Sequence, residues 1–348
     1  MSVSKKLFGK TKNGEEVTIY TLKNDKGMTA TFLDYGAVLV NLLVPDANGK
    51  FDDVVLGYDT VAEYEINGPG FGSFIGRHAN RIGDAKFTLN GKTYELEKND
   101  GKNNLHSGSV GYNKFMYEAE TFEEEDSVSV EFSRLSPDME QGFPGNLDIS
   151  VTYTLTNDNE LVIEYLAVSD QDTIVNLTNH TYFNLAGHKS GTILNHLVQI
   201  DADQFTPTTD DLIPTGEFAD VTGTPMDFRK LKPIGQDINA EYKPLIQAGG
   251  YDHNYVLNIN ENEVTKVAEL VEEKSGRKMT VYTDKPGLQL YTANFLTNEK
   301  GKDGVVYQKN DGVCFETQYY PNSCNIEAFP SSVLKAGEEY DFVTIYKF

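Results

Sequence analysis

Residues 147–167 leave the chain little freedom in secondary structure. Leu147, Ile149, Val151, Tyr153 and Leu155 alternate with polar residues, Asn157-Asp-Asn159 supplies a turn, and Leu161, Ile163, Tyr165 and Ala167 alternate back. A period of two places all these apolar side chains on one face of an antiparallel hairpin, whereas a helix would scatter them around its axis. The same rhythm recurs along the chain. Short β-type runs cover 16–22, 28–33 and 39–44, and Asp46-Ala-Asn-Gly49 turns the chain toward another at 51–56. Phe87 and Leu89 lead into Asn90-Gly91, with Tyr94 and Leu96 beyond, which is the pattern of a tight hairpin. Helical signals are thin. Residues 59–66 can form one or two turns. Val264, Val267, Ala268 and Val271 stand at helical spacing, but Ser275-Gly276 and a strand-like run at 278–283 favour a hairpin over 265–283. The expectation is an all-β fold, a sandwich or barrel with few short helices. No linker, low-complexity tract or repeat divides the chain, so one domain is expected.

Composition narrows the partners. There are 30 Lys and Arg against 53 Asp and Glu, a net charge of −23. A field of that sign repels nucleic acid and anionic membrane surfaces, and a phosphorylated substrate would need a local basic pocket. The two cysteines, Cys314 and Cys324, are too few for a disulfide scaffold and lack the partners of a zinc site. The N-terminal residues carry positive charge with no apolar stretch after them, and no run is long enough to span a membrane. A cytoplasmic location is expected.

Five polar stretches interrupt the strands. Gly76-Arg-His-Ala-Asn-Arg-Ile82 follows a crowd of glycines and brings Arg81, whose fork of donors suits a carboxylate or paired hydroxyls; for Arg77 and Arg81 alike the plain alternative is a structural ion pair. Asn103-Asn-Leu-His-Ser-Gly108 offers His106, by itself most simply a turn residue. Asn176-Leu-Thr-Asn-His-Thr-Tyr-Phe-Asn-Leu185, if extended, sets Thr178, His180, Tyr182 and Asn184 on one face. Gly249-Gly-Tyr-Asp-His-Asn-Tyr255 delivers Asp252, able to accept from vicinal hydroxyls or merely to cap a turn. Val313-Cys-Phe-Glu-Thr-Gln-Tyr-Tyr-Pro321 carries Glu316 in an apolar strand, where burial would raise its pKa toward the range of a general base.

Rival chemistries lack their motifs. No two histidines stand at HxxxH or HxH spacing, no GxSxG elbow is in frame, and neither GxGxxG in a β–α context nor a phosphate cradle is present. No metal and no cofactor are expected. The remaining set suits proton transfer on a neutral, hydroxyl-rich molecule.

Taken together and in order, these blocks, with Tyr251-Asp-His-Asn254 and Phe315-Glu-Thr-Gln-Tyr319 marking the last two, resemble the aldose 1-epimerase (galactose mutarotase) family over essentially the whole of residues 1–348. The resemblance implies a large antiparallel β-supersandwich with an open cleft, and the interconversion of anomers of free aldohexoses such as galactose and glucose. It implies Glu316 as the general base at the C1 hydroxyl, His180 as the general acid at the ring oxygen, and His106 as a second active-site histidine. Arg81, Asp252, Asn80 and Gln289 (in Pro286-Gly-Leu-Gln-Leu-Tyr291) match sugar-binding positions. The acid–base pairing needs a raised Glu316 and a near-neutral His180. The expected partner is a free monosaccharide, and the protein a monomer or homodimer.

Overall fold

The computed structural model describes residues 1–260 and 263–348. The hairpin that anchors the sequence reading runs Leu147–Thr156 and Glu160–Ser169, paired from Leu147↔Ser169 to Leu155↔Leu161. Every apolar residue of its inward set is buried, while Leu166 and Val168, on the outer face, are exposed. Asn159 closes the turn with φ 59°, a left-handed conformation that asparagine tolerates.

This hairpin lies within a nine-stranded sheet ordered Glu118–Glu123, Ser127–Ser136, Leu147–Thr156, Glu160–Ser169, Glu339–Lys347, Arg277–Thr283, Thr265–Glu272, Leu197–Ile200 and Lys232–Pro233. A five-stranded N-terminal sheet runs in chain order from Ser2–Lys10 to Phe51–Asp53. A second five-stranded sheet is ordered Ala219–Asp220, Gln204–Phe205, Asp252–Val256, Gly287–Tyr291 and Cys314–Gln318. All strand pairs within these sheets are antiparallel. Aromatic contacts join the layers: Phe32 stacks on Tyr153 at 4.3 Å, and Tyr20 meets Phe132 edge-on at 5.6 Å. The expected all-β sandwich is present. Among the described residues the α-helices are two short ones, Val61–Ile66 and Lys243–Ala248. The first falls where 59–66 was expected to turn, capped by Thr60, whose hydroxyl accepts from Glu63 N. None of the described helices is long and apolar enough to cross a membrane.

The hairpin at 265–283 forms as Thr265–Glu272 and Arg277–Thr283. Two expectations need correction. The strand expected over 51–56 stops at Asp53, because that carboxylate turns inward to Lys302 Nζ at 2.6 Å and accepts from Leu42 N. Beyond it the chain changes partners, Leu56 N donating to Tyr182 O at 3.0 Å. Likewise only Thr178–His180 of the 176–185 stretch is strand. Its neighbours leave the ladder because Asn176 and Asn184 spend their side chains on distant main-chain carbonyls, of Tyr319 and of Gly191 and Asp311.

Arg77 shows what anchors the cleft from behind. Its side chain is fully buried, and its guanidinium donates to Pro144 O at 2.6 Å, Gly145 O at 3.0 Å and Ser136 Oγ at 2.7 Å. It is structural, as one of the two readings had it, but it clamps carbonyls rather than a carboxylate. Arg77→Lys keeps the charge and loses the fork, so urea denaturation should show a loss on the order of 3 kcal/mol, since several buried acceptors are orphaned together. A loss below about 0.5 kcal/mol, the size of an ordinary surface change, would contradict this account.

Candidate active site

The strand Cys314–Gln318 has two faces with opposite fates. Phe315 O accepts from Tyr346 and Thr317 hydrogen-bonds Thr344, so the strand is tied to the nine-stranded sheet. Glu316 therefore points the other way. It pairs in register with Gln289, which pairs with Asn254, while Cys314, Tyr291 and Asp252 form the adjacent row on the same face. Strand alternation alone thus delivers Glu316 and Asp252 to one surface.

Opposite lie the loops. Gly72 lets them approach: with φ +63° and a would-be Cβ only 2.0 Å from Leu39 O, it admits no side chain. Its amide donates to His180 O, fixing Thr178–His180 beside Ser73–Ile75. The blocks are knitted by main-chain bonds: Ala79 N donates to Asn176 O at 2.7 Å, Asn176 N to Arg77 O at 2.9 Å, and Tyr319 N to Asn176 Oδ1 at 2.9 Å. Asn80 and His106 hold each other in left-handed conformations, φ 59° and 50°, through Asn80 N–H to His106 Nδ1 and His106 N–H to Asn80 O, both 3.1 Å.

The result is a cleft of about 360 Å³. Asn80, Arg81, His106, His180, Asp252 and Glu316 all line it, with Tyr182, Tyr291 and Phe295 as apolar walls. Gln289 does not line it. It stands behind Asp252, its Nε2 donating to Asp252 Oδ1 at 2.7 Å and its Oε1 accepting from Gln318 at 3.2 Å. Arg81 donates through Nε to Asp100 Oδ2 at 2.8 Å and faces Asp252 Oδ2 at 3.7 Å.

His180 Nε2 lies 3.6 Å from Glu316 Oε1. Its ring stacks on Tyr182 at 5.0 Å and meets His106 edge-on at 5.4 Å. Glu316 is 2% exposed, and its Oε2 has no hydrogen-bond partner among the described residues. Burial pushes the Glu316 pKa well above its ordinary value of 4.5; the Asp252 charge adds to this and Arg81 opposes it. Burial also lowers His180 to about 4, so the near-neutral value expected from sequence does not hold in the closed-in setting of this ring. The two shifts order the pair: a single proton shared between them favours Glu316 over His180.

His106, His180 and Glu316 each bring a possible ligand atom within 4.8 Å of the others, so a metal must be weighed. His106 argues against one. Its Nδ1 already accepts the Asn80 amide proton, which leaves the neutral ring's own proton on Nε2, a donor rather than a lone pair. Burial holds His106 well below its ordinary pKa, so it stays neutral. What the cleft offers is a donor at His106, a one-proton pair at His180 and Glu316, and a clamp of Arg81 and Asp252. That is equipment for moving protons on a neutral polyol. Sequence reading missed Asp100, which nothing in the pattern marks, and Cys314, whose parity with Glu316 was there to be read. Asp252→Asn should lower the Glu316 titration midpoint and Arg81→Met should raise it, followed by carboxyl ¹³C shifts; a midpoint that ignores both would contradict these electrostatics.

Comparison with known proteins shows the family. A family profile described as aldose 1-epimerase matches residues 18–347. The chain is 43% identical over 350 residues to galactose mutarotase from Sus scrofa, covering 100% of this chain and 99% of that protein. It is 34% identical over 338 residues to aldose 1-epimerase from Escherichia coli K12, covering 97% and 96%. The crystal structure of galactose 1-epimerase from Lactobacillus acidophilus NCFM superposes with a TM-score of 0.87 at 28% identity, covering 99% and 98% of the two chains.

Proposed function

The chain belongs to the aldose 1-epimerase family and is an isomerase of that class, and on that footing we propose that it interconverts the α and β anomers of free D-galactose and D-glucose through Glu316 and His180. The observation that carries this reading is the 3.6 Å approach of His180 Nε2 to Glu316 Oε1 in a cleft with a neutral donor beside it. The cleft draws on residues from Ile66 to Glu316, which supports treating residues 1–348 as one catalytic domain.

The steps conserve protons. In the resting cleft the shared proton is on Glu316. When a sugar fills the cleft, its hydroxyls hydrogen-bond the carboxylate and Arg81 stabilises its charge, so the proton passes to His180. Glu316 then takes the C1 hydroxyl proton while His180 gives its Nε2 proton to the ring oxygen, and the C1–O5 bond breaks. The open-chain aldehyde rotates about C1–C2. Reclosure reverses both transfers and restores the pair. His106 Nε2–H serves as a donor to a sugar oxygen, and Arg81, Asp252 and Asn80 hold the hydroxyls. Gln289, hydrogen-bonded to Asp252, serves by orienting that carboxylate rather than by touching sugar.

The cations support a free sugar over a phosphate. Arg81 is engaged by Asp100 and Asp252, and Lys114 donates to Tyr64 O, Glu65 O and Ile66 O at 3.1, 3.0 and 2.8 Å. Among the described residues these are the cations lining the cleft, and neither is uncommitted. Polarimetry on fresh α-D-galactose should show accelerated decay to the equilibrium rotation, little acceleration with glucose 6-phosphate, and a loss of roughly 10²–10⁴-fold in kcat for Glu316→Gln with sugar still bound. Wild-type turnover in that variant would overturn the assignment.

The active form carries one proton on the pair. A second proton, taken up where His180 titrates at about 4, disables the acid side; loss of the shared proton, well above 4.5, disables the alkaline side. The expected kcat/KM profile is a bell with its acid limb near pH 4, and a flat profile would contradict the pairing.

A further inference from the structure

His180 has two ring nitrogens, and the proposed chemistry uses one. Nε2 faces Glu316; Nδ1 faces the sulfur of Cys314 at 3.6 Å, within hydrogen-bonding range for sulfur. Cys314 is two residues before Glu316 on the same strand face, so one strand supplies a partner to each nitrogen of the ring. The thiol is fully buried and does not line the cleft, which rules out attack on substrate.

We propose that Cys314 is a positioning residue for His180: its sulfur accepts the Nδ1–H, fixing the tautomer in which Nε2 is the atom that takes and gives the moving proton. This rests on His180 being the proton donor of the reaction. A neutral imidazole has one ring proton. Nε2 faces the Glu316 carboxyl at 3.6 Å, and burial raises that carboxyl's pKa while lowering the ring's, so a proton between them favours Glu316 and the ring's own proton belongs on Nδ1. The sulfur, 3.6 Å from Nδ1, is placed to accept it. Burial and the Glu316 and Asp252 charges push the Cys314 thiol up, so no thiolate competes for that proton. Hydrogen bonding to the His180 main chain and the Asp252 carboxylate oppose the lowering of the ring's pKa by burial. Tyr182, Tyr291 and His106 complete the ring's surroundings, with Arg81 beyond Asp252. Without the sulfur the ring keeps only its hydrogen bonding to its own main chain, a weaker hold on the tautomer, and is freer to adopt the other one, with Nε2 already protonated and unable to receive from Glu316.

The test is a long-range ¹H–¹⁵N correlation spectrum of the histidine rings, with His180 assigned by His180→Gln, and kinetics of Cys314→Ala and Cys314→Ser. The wild type should show a protonated Nδ1 and an unprotonated Nε2. Cys314→Ala should shift the ring toward the Nε2–H tautomer and lower kcat, by roughly tenfold on the scale of other outer-shell histidine partners, with KM unchanged and the acid limb displaced. Cys314→Ser, which keeps an acceptor, should restore most of the rate. A wild-type Nε2–H tautomer, or an alanine variant with unchanged kcat and pH profile, would overturn the proposal. Failure of the functional reading is distinguishable, because the wild type would then show no mutarotation while the tautomer could still be read.

Discussion

A carboxyl group buried beside a neutral imidazole is the constraint on which this molecule turns. Glu316 is shut between a nine-stranded sheet behind and a cleft in front, and its Oε2 has no hydrogen-bond partner among the described residues. An ionised carboxylate in such a place costs roughly several kcal/mol after relaxation. Burial therefore favours its protonated form while the cleft holds nothing polar. Its proton has one near destination, the imidazole 3.6 Å away, which is itself held neutral by burial. A sandwich with so much apolar area behind the strand can carry that cost, and in the proposed chemistry the cost is what makes the pair reactive.

The surrounding structure serves to prevent escape from this arrangement. Arg77 and the Asn80–His106 reciprocal bonds fix the loop that bears Arg81, and Gly72 permits the close approach that places His180. The Gln289–Asp252 bond holds the remaining carboxylate with a neutral partner, keeping Asp252 in place without cancelling its charge. That charge helps keep the proton on Glu316, while Arg81 opposes it.

Much of this was legible in the chain because antiparallel strands write their faces into the sequence at a period of two. The 147–167 hairpin, the Asn90-Gly91 turn and the inward placement of Glu316 all follow from that rule. Six of the seven residues proposed from sequence line one cleft, since each sits in a polar block that the strands cannot bury elsewhere. Gln289 shares the parity of Glu316 but stands back from the cleft, a matter of depth that alternation does not encode. The depression of His180 also lay beyond reach, because it comes from burial, and His106 and Tyr291, which pack on the ring beside neighbouring Tyr182, come from distant segments. The irregular path of 180–185 depends on long-range amide bonds that no local pattern announces.

The central claim is that only hydroxyl protons move while the ring opens and closes. It is tested most directly by saturation transfer between the α and β anomeric protons of D-galactose at equilibrium in D₂O with the protein present. Transfer between the two resonances, with no deuterium entering at C1 or C2, is the result expected of ring opening by Glu316 and His180. Deuterium at C2 would mean that a carbon-bound proton is removed, and absence of transfer would mean that the pair does not open the ring.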